Sequence, residues 1–575
     1  MIARGWRVAA LWFFSFGREI IVEGRHAFSN LYRKEILGRL ADGPFDLLVI
    51  GGGITGAGIA LDAQSRGFRV CLVEMQDFAA GTSSRSTKLI HGGLRYLKQM
   101  EIGLVAEVGR ERSIVYRNGP HVTTPEPMLL PIYEEGSLSR FAASVGLFVY
   151  DLLAGVPRGE RRRMLSREET LEREPLLRKE GLLGGGLYVE YRTDDARLTL
   201  EVLKKAAELG ALAINYVRAD QFLYRDGQVA GVEAVDLVTG ERLEIRASAV
   251  INAAGPWVDF LREKDGSRKG KTLHLTKGVH LVFDRGRFPL RQAVYFDVPD
   301  GRMVFAIPRG GKTYVGTTDT DYSDPERMAR PGLTREDRDY LLAAVNRMFP
   351  GLGLAERDVE SGWAGLRPLI HQEGRKPSEI SRRDEIFVSP SGLISIAGGK
   401  LTGYRKMAEQ VVDLVARRFR QEEHLQGRRF GPCVTRNLPL SGGETGSGEQ
   451  FEEFVRRKTE EGRRKGLPAE AAETIARRYG SNADRLFARA PRYAVEGASE
   501  GLPWDLWLML VYAIEEEMAL TPTDFFARRT GALFFDLASV LRYRDPVLRI
   551  MRDRLAWTDR QAEAYGAELD LELRL

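Results

Sequence analysis

The chain has 575 residues, of which 43% are hydrophobic and 29% charged, and it carries a net charge of +5 with a pI near 9.0. Such a composition is ordinary for a soluble globular protein, and the length suggests about two to four domains with a large core. The sequence has no basic stripe interleaved with stacking aromatics and no apolar stretch of ~18 residues, which excludes a nucleic-acid module and a membrane-spanning helix.

The N-terminal region is basic and contains one short apolar stretch, residues 8–16. Arg4 and Arg7 precede it as in a signal peptide, but charged residues follow it where a small-residue cleavage site would stand. Two interpretations of residues 1–26 stay open, a membrane-surface helix and translation from an upstream start codon. A short basic helix is predicted next, over residues 31–40.

A glycine-rich turn is the most informative feature of the chain. Residues 45–50 form a short apolar run that predicts a buried strand. Gly51, Gly53 and Gly56 follow at the spacing of a dinucleotide-binding turn. In that turn the glycines permit a tight bend, a close approach to a pyrophosphate and close packing of a helix on the strand.

The elements after the turn complete this pattern. A helix is predicted over 57–66, with its positive end toward the phosphates. A second strand, 69–73, leads to Glu74, and an acid about 20 residues past the glycines is where a ribose hydroxyl is held. The register of strand, glycines, helix, strand and acid predicts an adenine-dinucleotide site. The two cysteines, Cys71 and Cys433, are far apart and are interpreted as reduced packing residues of a cytoplasmic protein.

Further along the chain, short strands alternate with helices. The predicted helices and helix starts cover 102–117, 141–153, 167–172 behind a Ser166–Glu169 capping box, 196–209, 334–348 and 402–420. The predicted strands include 128–133, hairpins at 226–227 and 239–240, a β-rich region over 273–315 with a turn at 310–311, and a buried strand over 393–397. Residues 440–450 read as a flexible glycine-rich linker, and the chain after them reads as helical.

The strands that flank the glycine motifs are scattered along the chain, so the fold class predicted is α/β with a discontinuous Rossmann-like dinucleotide-binding domain, an inserted β-rich domain and an all-helical C-terminal domain. The predicted boundaries are an N-terminal extension over 1–44; a central region over 45–430, with dinucleotide-binding segments near 45–125, 185–270 and 385–425 and inserted segments near 126–184 and 271–384; a linker over 431–449; and helices over 450–575.

Several stretches resemble the FAD-dependent glycerol-3-phosphate dehydrogenases, within the wider D-amino-acid-oxidase-like group. The matching stretches are GGGITGAGIALDAQSRG, SSRSTKLIHGGLRYL, TDDARL, INAAGPWVD, TKGVHLVF, YVGTTDTD, SGWAGLRPL, AGGKLTGYRKMAE, RRYGSN and LTPTDFFARRTG. The phrases IHGGLRYL and GGKLTGYRKMAE are specific to this family, whereas many unrelated proteins share the glycine triplet. The resemblance covers the chain from about residue 28 nearly to its end.

The resemblance and the motif together predict a set of FAD contacts. These are Gly51, Gly53, Gly56, Glu74, Thr82, Ser83, Ser86, Lys88, Leu89, Ala253, Ala254, Gly255, Gly399, Lys400 and Leu401. For any one of the serines, turn capping is an equally good explanation. The last three residues stand before a predicted helix, whose positive end would stabilise negative charge on the flavin. Non-covalent FAD is expected, and no metal site is predicted.

For the substrate, the resemblance indicates arginines, since planar guanidinium groups suit a phosphate dianion. The candidates are Arg95, Arg367 and Arg382. Hydride loss from a carbinol carbon also requires a base, and histidine is the usual one near neutral pH. Of seven histidines, His91 and His280 stand in family motifs; we favour His280 as the base, with His91 and Tyr96 orienting and with Lys277 and Lys400 stabilising the developing alkoxide and the reduced cofactor.

The resemblance implies oxidation of sn-glycerol 3-phosphate to dihydroxyacetone phosphate, with electrons passed to membrane quinone by an enzyme held peripherally on the inner face of the cell membrane. An oxidase that uses oxygen is the close alternative, although known oxidases carry an insertion for which this chain lacks room. Amino-acid oxidation and a catalytically dead flavoprotein fit the arginine set less well. The sequence leaves the oligomeric state open, a homodimer included.

Overall fold

The computed structural model describes residues 28–91, 102–136, 140–154, 159, 161–372, 384–421 and 429–574. The predicted surface helix over 1–26 lies outside the described residues. The described strands are β1 (Phe45–Ile50), β2 (Val70–Val73), β3 (Leu89–Ile90), β4 (Thr123–Tyr133), β5 (Arg163–Leu165), β6 (Leu182–Thr193), β7 (Leu212–Ile214), β8 (Val217–Arg225), β9 (Gln228–Asp236), β10 (Arg242–Asn252), β11 (Lys271–Asp284), β12 (Ala293–Asp297), β13 (Met303–Arg309), β14 (Lys312–Gly316), β15 (Thr320–Asp321), β16 (Val359–Gln372), β17 (Glu385–Val388) and β18 (Ile394–Ala397).

The described α-helices divide into those that pack on the sheets and those that follow residue 448. The first group is α1 (Arg33–Ala41), α2 (Ile54–Ser65), α3 (Ile102–Asn118), α4 (Arg140–Ala154), α5 (Arg167–Arg173), α6 (Asp195–Glu208), α7 (Val258–Lys264), α8 (Arg335–Met348) and α9 (Tyr404–Gln421). The second group is α10 (Glu449–Arg464), α11 (Ala469–Tyr479), α12 (Ala483–Phe487), α13 (Ala490–Glu496), α14 (Trp504–Glu516), α15 (Ala532–Phe535), α16 (Leu537–Leu555) and α17 (Asp559–Glu572), with a π-helical turn at Asp524–Arg529.

The first sheet is the core of the cofactor domain. Its main order is β17–β18–β10–β1–β2–β7, and β1 pairs in parallel with both β2 and β10. Every residue of β1 is buried, as a strand covered on both faces requires. Helix α2 contacts α6 and α9 beside this sheet. Because the strands come from positions between 45 and 397, the predicted discontinuous FAD-binding fold is confirmed.

The second sheet is mostly antiparallel and is inserted between strands of the first. Its main order is β15–β11–β14–β13–β12–β4–β6–β3, with β16 beside β11 and β5 beside β6. The hairpin β13–β14 closes at 310–311, where the glycine pair predicts it. The long strand pair β11–β16 runs from Lys271 opposite Gln372 to Phe283 opposite Val359. This inserted β-rich layer confirms the second part of the predicted fold.

The described C-terminal residues, 449–574, form helices and contain no strand. Buried ion pairs attach them to the cofactor domain: the Asp77 carboxylate accepts from Arg528 and Arg529, at 2.5 Å from Arg528 Nε and 2.6 Å from Arg529 Nη1. Glu517 pairs in the same way with Arg197 and Lys204 of α6. All six side chains are nearly inaccessible to solvent, so each charge depends on its partners.

Two predicted element boundaries differ from the structure. Helix α2 begins three residues earlier than predicted, because Gly53 in extended conformation already acts as its N-cap. Strand β4 begins at Thr123 and runs through three prolines, whereas the sequence predicted a strand only from 128. Pro125, Pro127 and Pro131 stand at alternate positions, so their missing N–H groups fall along one edge of the strand.

The glycine-rich stretch near 440 is packed, so the flexible conformation predicted for it is wrong at residues 440–445. Leu440 and Ser441 are at most 2% exposed, and Leu440 N donates to Asn118 O at 2.9 Å. A Cβ on Gly480 would lie 2.0 Å from Gly442 O, which shows how closely two backbones approach there. Composition favoured a linker because glycine serves both flexible chains and such close contacts.

The described helices include none that is both long and apolar enough to cross a membrane.

Candidate active site

A cavity of about 550 Å³ lies where the two sheets meet. Ile50, Val73, Ala253 and Ile396–Ala397 line it, at the carboxyl ends of four neighbouring strands of the first sheet. This edge is where ligands bind in open parallel sheets. Residues of β13 and β16, and the segment after β14, supply the opposite wall from the second sheet.

Two of the three predicted glycines, Gly51 and Gly56, are required by contacts that leave no room for a side chain. A Cβ on Gly51 would lie 2.5 Å from Ala253 O, and one on Gly56 would lie 1.9 Å from Gly51 O. Gly51 also has a φ of 114°, which side chains disfavour. Gly53 meets only Ser83 Oγ, at 3.1 Å, and lines the cavity. The turn therefore presents bare backbone to the cavity at the N-terminus of α2.

Glu74 is fixed at the end of β2 and faces the same cavity. Its carboxylate accepts from Gly52 N at 2.6 Å and from Gln76 N at 2.8 Å. Burial raises the pKa of this carboxyl group, and the two backbone donors oppose that effect. Ser83 Oγ accepts from Ile54 N at 2.9 Å, which ties the next loop to the first turn of α2.

The loop 82–91 runs along the cavity, and most of its predicted contacts line it. Those that do are Thr82, Ser83, Ser86, Leu89 and His91. Lys88 does not: its Nζ donates to Asp195 Oδ1 at 2.7 Å and to Ser84 O at 2.8 Å, behind the loop. The Lys88 side chain therefore does not face the cavity, and its predicted contact with the cofactor stays a prediction. Its positive φ of 57° turns the side chain toward α6.

Two further predicted segments complete the cofactor wall. Ala253, Ala254 and Gly255 follow β10, and Gly399, Lys400 and Leu401 follow β18. Gly398 and Gly399 have φ values of 76° and 81°, which place the chain so that α9 begins beside the cavity. The positive end of that helix is thus directed toward any negative charge in the cavity.

His280 is among the most deeply buried polar residues at the cavity. Its side chain is almost fully buried, its ring stacks on Trp363 with 4.7 Å between centroids, and Nε2 lies 3.0 Å from Thr87 Oγ1. A Cβ on Gly316 would lie 2.0 Å from the imidazole, so this glycine makes room for the ring. Burial, with Arg367 and Lys88 nearby, lowers the pKa of His280 well below its ordinary value.

His91 lines the cavity from the end of the loop. Its backbone exchanges hydrogen bonds with the Thr402 hydroxyl, at 3.1 and 3.2 Å. Burial, with smaller effects from Lys400 and Arg112, lowers the pKa of His91 to about 3. Both candidate histidines are therefore neutral near pH 7.

Arg367 reaches the cavity from β16. It donates to Thr317 Oγ1 at 2.8 Å, to Thr318 O at 3.1 Å and to Asp319 Oδ1 at 3.2 Å. A Cβ on Gly278 would lie 2.3 Å from Arg367 Nη2, so the guanidinium crosses β11 over a glycine. This position agrees with the predicted phosphate-binding role.

Lys277 is placed elsewhere. Its Nζ donates to Asp337 Oδ2 at 2.5 Å and to Gly332 O at 3.3 Å, at the start of α8, and it does not line the cavity. Strand β11 alternates its side chains, so Lys277 points away from the face that carries Gly278 and His280. Its predicted role in stabilising an alkoxide stays a prediction that this placement does not support. Arg95, Tyr96 and Arg382 lie outside the described residues.

Several cavity residues were not predicted as site residues. Thr87 and the pair Tyr295–Phe305, whose rings stack at 4.1 Å, line the cavity, as do Arg302 and Asp319. Thr87 and Asp319 stand inside the motifs STKLIHGG and TTDTD, so the motifs could have indicated them. Arg302 stands in an ordinary turn before a strand, and nothing local in the sequence distinguishes it.

The chain matches known families over most of its length. A family model described as FAD dependent oxidoreductase matches residues 46–405, and one described as the C-terminal domain of alpha-glycerophosphate oxidase matches 433–562. The aerobic glycerol-3-phosphate dehydrogenase of Bacillus subtilis (strain 168) is 58% identical over 94% of this chain and 97% of that protein. The chain belongs to the FAD-dependent glycerol-3-phosphate dehydrogenase family.

Two further relatives agree with this assignment. The enzyme of that description from Staphylococcus aureus is 54% identical over 95% of this chain and 98% of its own length. A crystal structure of the glycerol-3-phosphate dehydrogenase from Bacillus halodurans, complexed with FAD, superposes with a TM-score of 0.82 at 50% identity and covers 95% of this chain and 98% of that one. The predicted family is thereby confirmed.

The cofactor of the family is FAD, and the cavity fits it. The backbone cradle at Gly51 and Gly53 suits a pyrophosphate, and Glu74 lies at the end of β2 where an adenosine ribose is held. Lys400 and the start of α9 supply positive charge at the other end, where the flavin ring would be held.

Proposed function

We propose that the enzyme oxidises sn-glycerol 3-phosphate to dihydroxyacetone phosphate. Bound FAD supplies the hydride acceptor. One observation carries the proposal: a single cavity joins the dinucleotide cradle at Gly51 and Gly53 to a polar end that holds Arg367, Lys400 and two neutral histidines. The relatives described above are glycerol-3-phosphate dehydrogenases, which supports the same substrate.

The substrate phosphate is held by cations at the second-sheet end of the cavity. Arg367 is oriented by three acceptors on the segment Thr317–Asp319, so its planar group is presented in one geometry. Lys400 adds a point charge at the start of α9. Arg95 and Arg382 belong to the same proposed set through the family motifs. Such a site distinguishes a phosphate ester from a free polyol by charge-assisted hydrogen bonds.

The substrate hydroxyl must lose its proton as the hydride departs. We assign His280 as the final acceptor of this proton, with the Thr87 hydroxyl as the relay. Thr87 lines the cavity, where it would accept the substrate proton, and its Oγ1 lies 3.0 Å from His280 Nε2, to which it would pass its own proton. The lowered pKa of His280 keeps the ring neutral and able to accept. His91 also lines the cavity and is neutral, and we assign it the role of orienting the substrate.

The proposed electron acceptor is a membrane quinone, and the proposed location is the inner face of the cell membrane. Helix α4 supports a membrane contact within the described residues. Phe141, Val145 and Phe148 follow one stripe of it and are 80%, 45% and 55% exposed. Arg162 lies 5.5 Å from the Phe148 ring, and the Arg163 side chain is 61% exposed. Apolar side chains beside arginines are suited to an anionic lipid surface.

Anaerobic reduction tests the substrate. Glycerol 3-phosphate added to the purified yellow protein under argon is expected to bleach the flavin absorption, and glycerol at the same concentration is not. Reoxidation by a quinone analogue that is faster than reoxidation by oxygen supports the dehydrogenase, and the reverse order supports the oxidase. Absence of bleaching by glycerol 3-phosphate would refute the proposed substrate.

Liposome sedimentation tests the membrane contact. The enzyme is expected to sediment with anionic vesicles, to be released by high salt with mild detergent, and to bind less when Phe141 and Phe148 are both replaced by Ser. A matched variant replaces Leu541, which is 60% exposed on α16, by Ser and keeps the binding. If the native enzyme is a dimer and the α4 variant is a monomer with unchanged vesicle binding, the exposed face of α4 contacts a second copy of the chain and not the membrane. Removal of residues 1–26 tests the N-terminal alternative.

A further inference from the structure

We propose that Arg302 is a second phosphate-recognising residue of this site and that Asp319 is a positioning residue set between Arg302 and Arg367. The inference rests on the proposed function, because it names how that substrate's phosphate is recognised. Neither residue was expected from the sequence, and both line the cavity.

The β13–β14 hairpin brings the two residues to the same place. Phe305 of β13 pairs with Gly316 of β14. Arg302 lies three residues before Phe305, and Asp319 lies three residues after Gly316, so both extend from the open end of this hairpin. That end forms the wall of the cavity. Asp319 also belongs to the charged groups that act on the Arg302 guanidinium.

The Arg302 guanidinium group is anchored through Nε and Nη2, whereas no described residue anchors Nη1. Its Nε donates to Asp300 Oδ2 at 2.7 Å, its Nη2 lies 2.6 Å from the same oxygen, and its guanidinium lies 4.0 Å from the centre of the Tyr340 ring. Within the described part of the chain, Nη1 has no hydrogen-bond partner. The side chain is 34% exposed, and guanidinium carries five N–H donors, so donors are left for a ligand in the cavity.

Arg367 approaches Asp319 from the opposite side. It comes from β16, across β11, and its Nη1 lies 3.2 Å from Asp319 Oδ1. The Asp319 carboxylate therefore accepts from Arg367 of β16 and also acts electrostatically on Arg302, which directly precedes β13. A phosphate monoester dianion offers several acceptor oxygens, and two separately anchored planar donors hold it in one orientation. Asp319 fixes that orientation and opposes the entry of a second anion.

The experiment uses the FAD-loaded enzyme in the oxidised state. Inorganic phosphate is titrated under argon, and its affinity is read from the perturbation of the flavin absorption spectrum. Steady-state kinetics with glycerol 3-phosphate and with glycerol give KM and kcat separately. FAD content per chain is checked for every variant from the visible absorption.

Arg302→Gln is expected to weaken inorganic phosphate binding by about 10- to 100-fold, the usual range for one hydrogen bond to a charged group. KM for glycerol 3-phosphate should rise by a similar factor, while the oxidation of glycerol stays within about twofold. Arg302→Lys should lie between, because the charge is kept and the planar donor pair is lost. The matched control is Arg287→Gln, which removes an Arg–Asp pair at 2.8 Å in the same β-rich layer, away from the cavity.

Asp319→Asn tests whether Asp319 positions Arg367 or only changes the electrostatic attraction of the site for phosphate. Phosphate should bind at least as tightly as in the native enzyme, because a repelling carboxylate is gone, whereas kcat with glycerol 3-phosphate should fall about 10-fold, because Arg367 loses an anchor. Weaker phosphate binding in this variant would overturn the role of Asp319.

Unchanged phosphate affinity in Arg302→Gln, or equal losses for glycerol 3-phosphate and glycerol, would overturn the role of Arg302. If glycerol 3-phosphate fails to reduce the native enzyme, the proposed function fails, and the phosphate titration still decides whether Arg302 binds anions.

Discussion

At the scale of single residues, the two cavity histidines owe their properties to burial. The His280 ring is covered by Trp363 and sits over Gly316, and the His91 ring lies near Lys400 and Arg112. Desolvation disfavours the imidazolium form in both, which lowers each pKa. A neutral ring near pH 7 is what proton acceptance from a hydroxyl requires.

His280→Ala is expected to slow the anaerobic reduction of the bound cofactor by about 10²–10⁴-fold, the usual contribution of a general base. FAD content per chain should stay the same, since His280 contacts Thr87 and Trp363. Stopped-flow absorption with glycerol 3-phosphate measures the rate. His91→Ala is the comparison: a larger loss there, with near-normal reduction in His280→Ala, would transfer the role of base to His91.

The lowered histidine pKa values also predict a pH dependence. Because the folded protein binds these protons only at low pH, with the pKa of His91 at about 3, the reduction rate should show no histidine titration between about pH 5 and 8. The unfolded chain binds both protons below about pH 6.5, so stability contributed by the neutral rings is lost progressively as the pH falls below that value. A reduction rate that falls with a midpoint near pH 6.5 would contradict the buried, neutral histidines.

At the scale of elements, the β1–α2 turn is set by contacts that only glycine permits. Gly56→Ala is expected to prevent folding or FAD binding, because its Cβ would lie 1.9 Å from Gly51 O and helix α2 would have to move off β1. Gly38→Ala in α1 is the control, since nothing lies within 4 Å of its added Cβ and alanine stabilises a helix interior by about 0.5–1 kcal/mol. Thermal unfolding and FAD content measure both. A stable, yellow Gly56→Ala protein would show that the turn adapts.

The elements that sequence predicted best are those specified by neighbouring residues. The buried run before the glycines, the capping box at Ser166 and Glu169, and the hairpin glycines at 310–311 were all found at or within a few residues of their predicted places. Their signals are local, because caps, turns and strand periodicity involve residues a few positions apart.

Side-chain partners distant in the sequence were not predictable. Lys88 stands in a cofactor motif, but its ammonium pairs with Asp195, which is 107 positions away. Lys277 stands in another motif and pairs with Asp337. Arg302 is the opposite case, a residue outside any motif that nevertheless lines the cavity. Its place there depends on the pairing of two strands and on no local pattern. A motif identifies the backbone of a site, and the tertiary fold decides which side chains enter it.

At the scale of the whole molecule, one buried carboxylate attaches the helical C-terminal region to the cofactor domain. Asp77 accepts hydrogen bonds from Arg528 and Arg529, and these guanidinium groups lower its pKa to about 2 against the effect of burial. Asp77→Asn is expected to reduce the free energy of unfolding by about 3–5 kcal/mol, because two buried cations lose their counter-charge.

Chemical denaturation of the FAD-loaded protein measures that loss. Asp324→Asn is the control, because Asp324 pairs with Arg327 on the surface, where an ion pair contributes at most about 1 kcal/mol. A change below about 1 kcal/mol in Asp77→Asn would mean that the arginines are held by their other acceptors, the Asp524 carboxylate for Arg528 and the Glu517 backbone carbonyl for Arg529.

The position of Asp77 in the chain connects FAD binding to the stability of the C-terminal helices. Asp77 follows by three residues Glu74, which faces the FAD cavity, so one short segment serves both the cofactor and the C-terminal helices. A ligand that binds only the native state stabilises every part that unfolds together with its site. FAD loading should therefore be detectable far from the flavin, as slower proteolytic cleavage within residues 449–574.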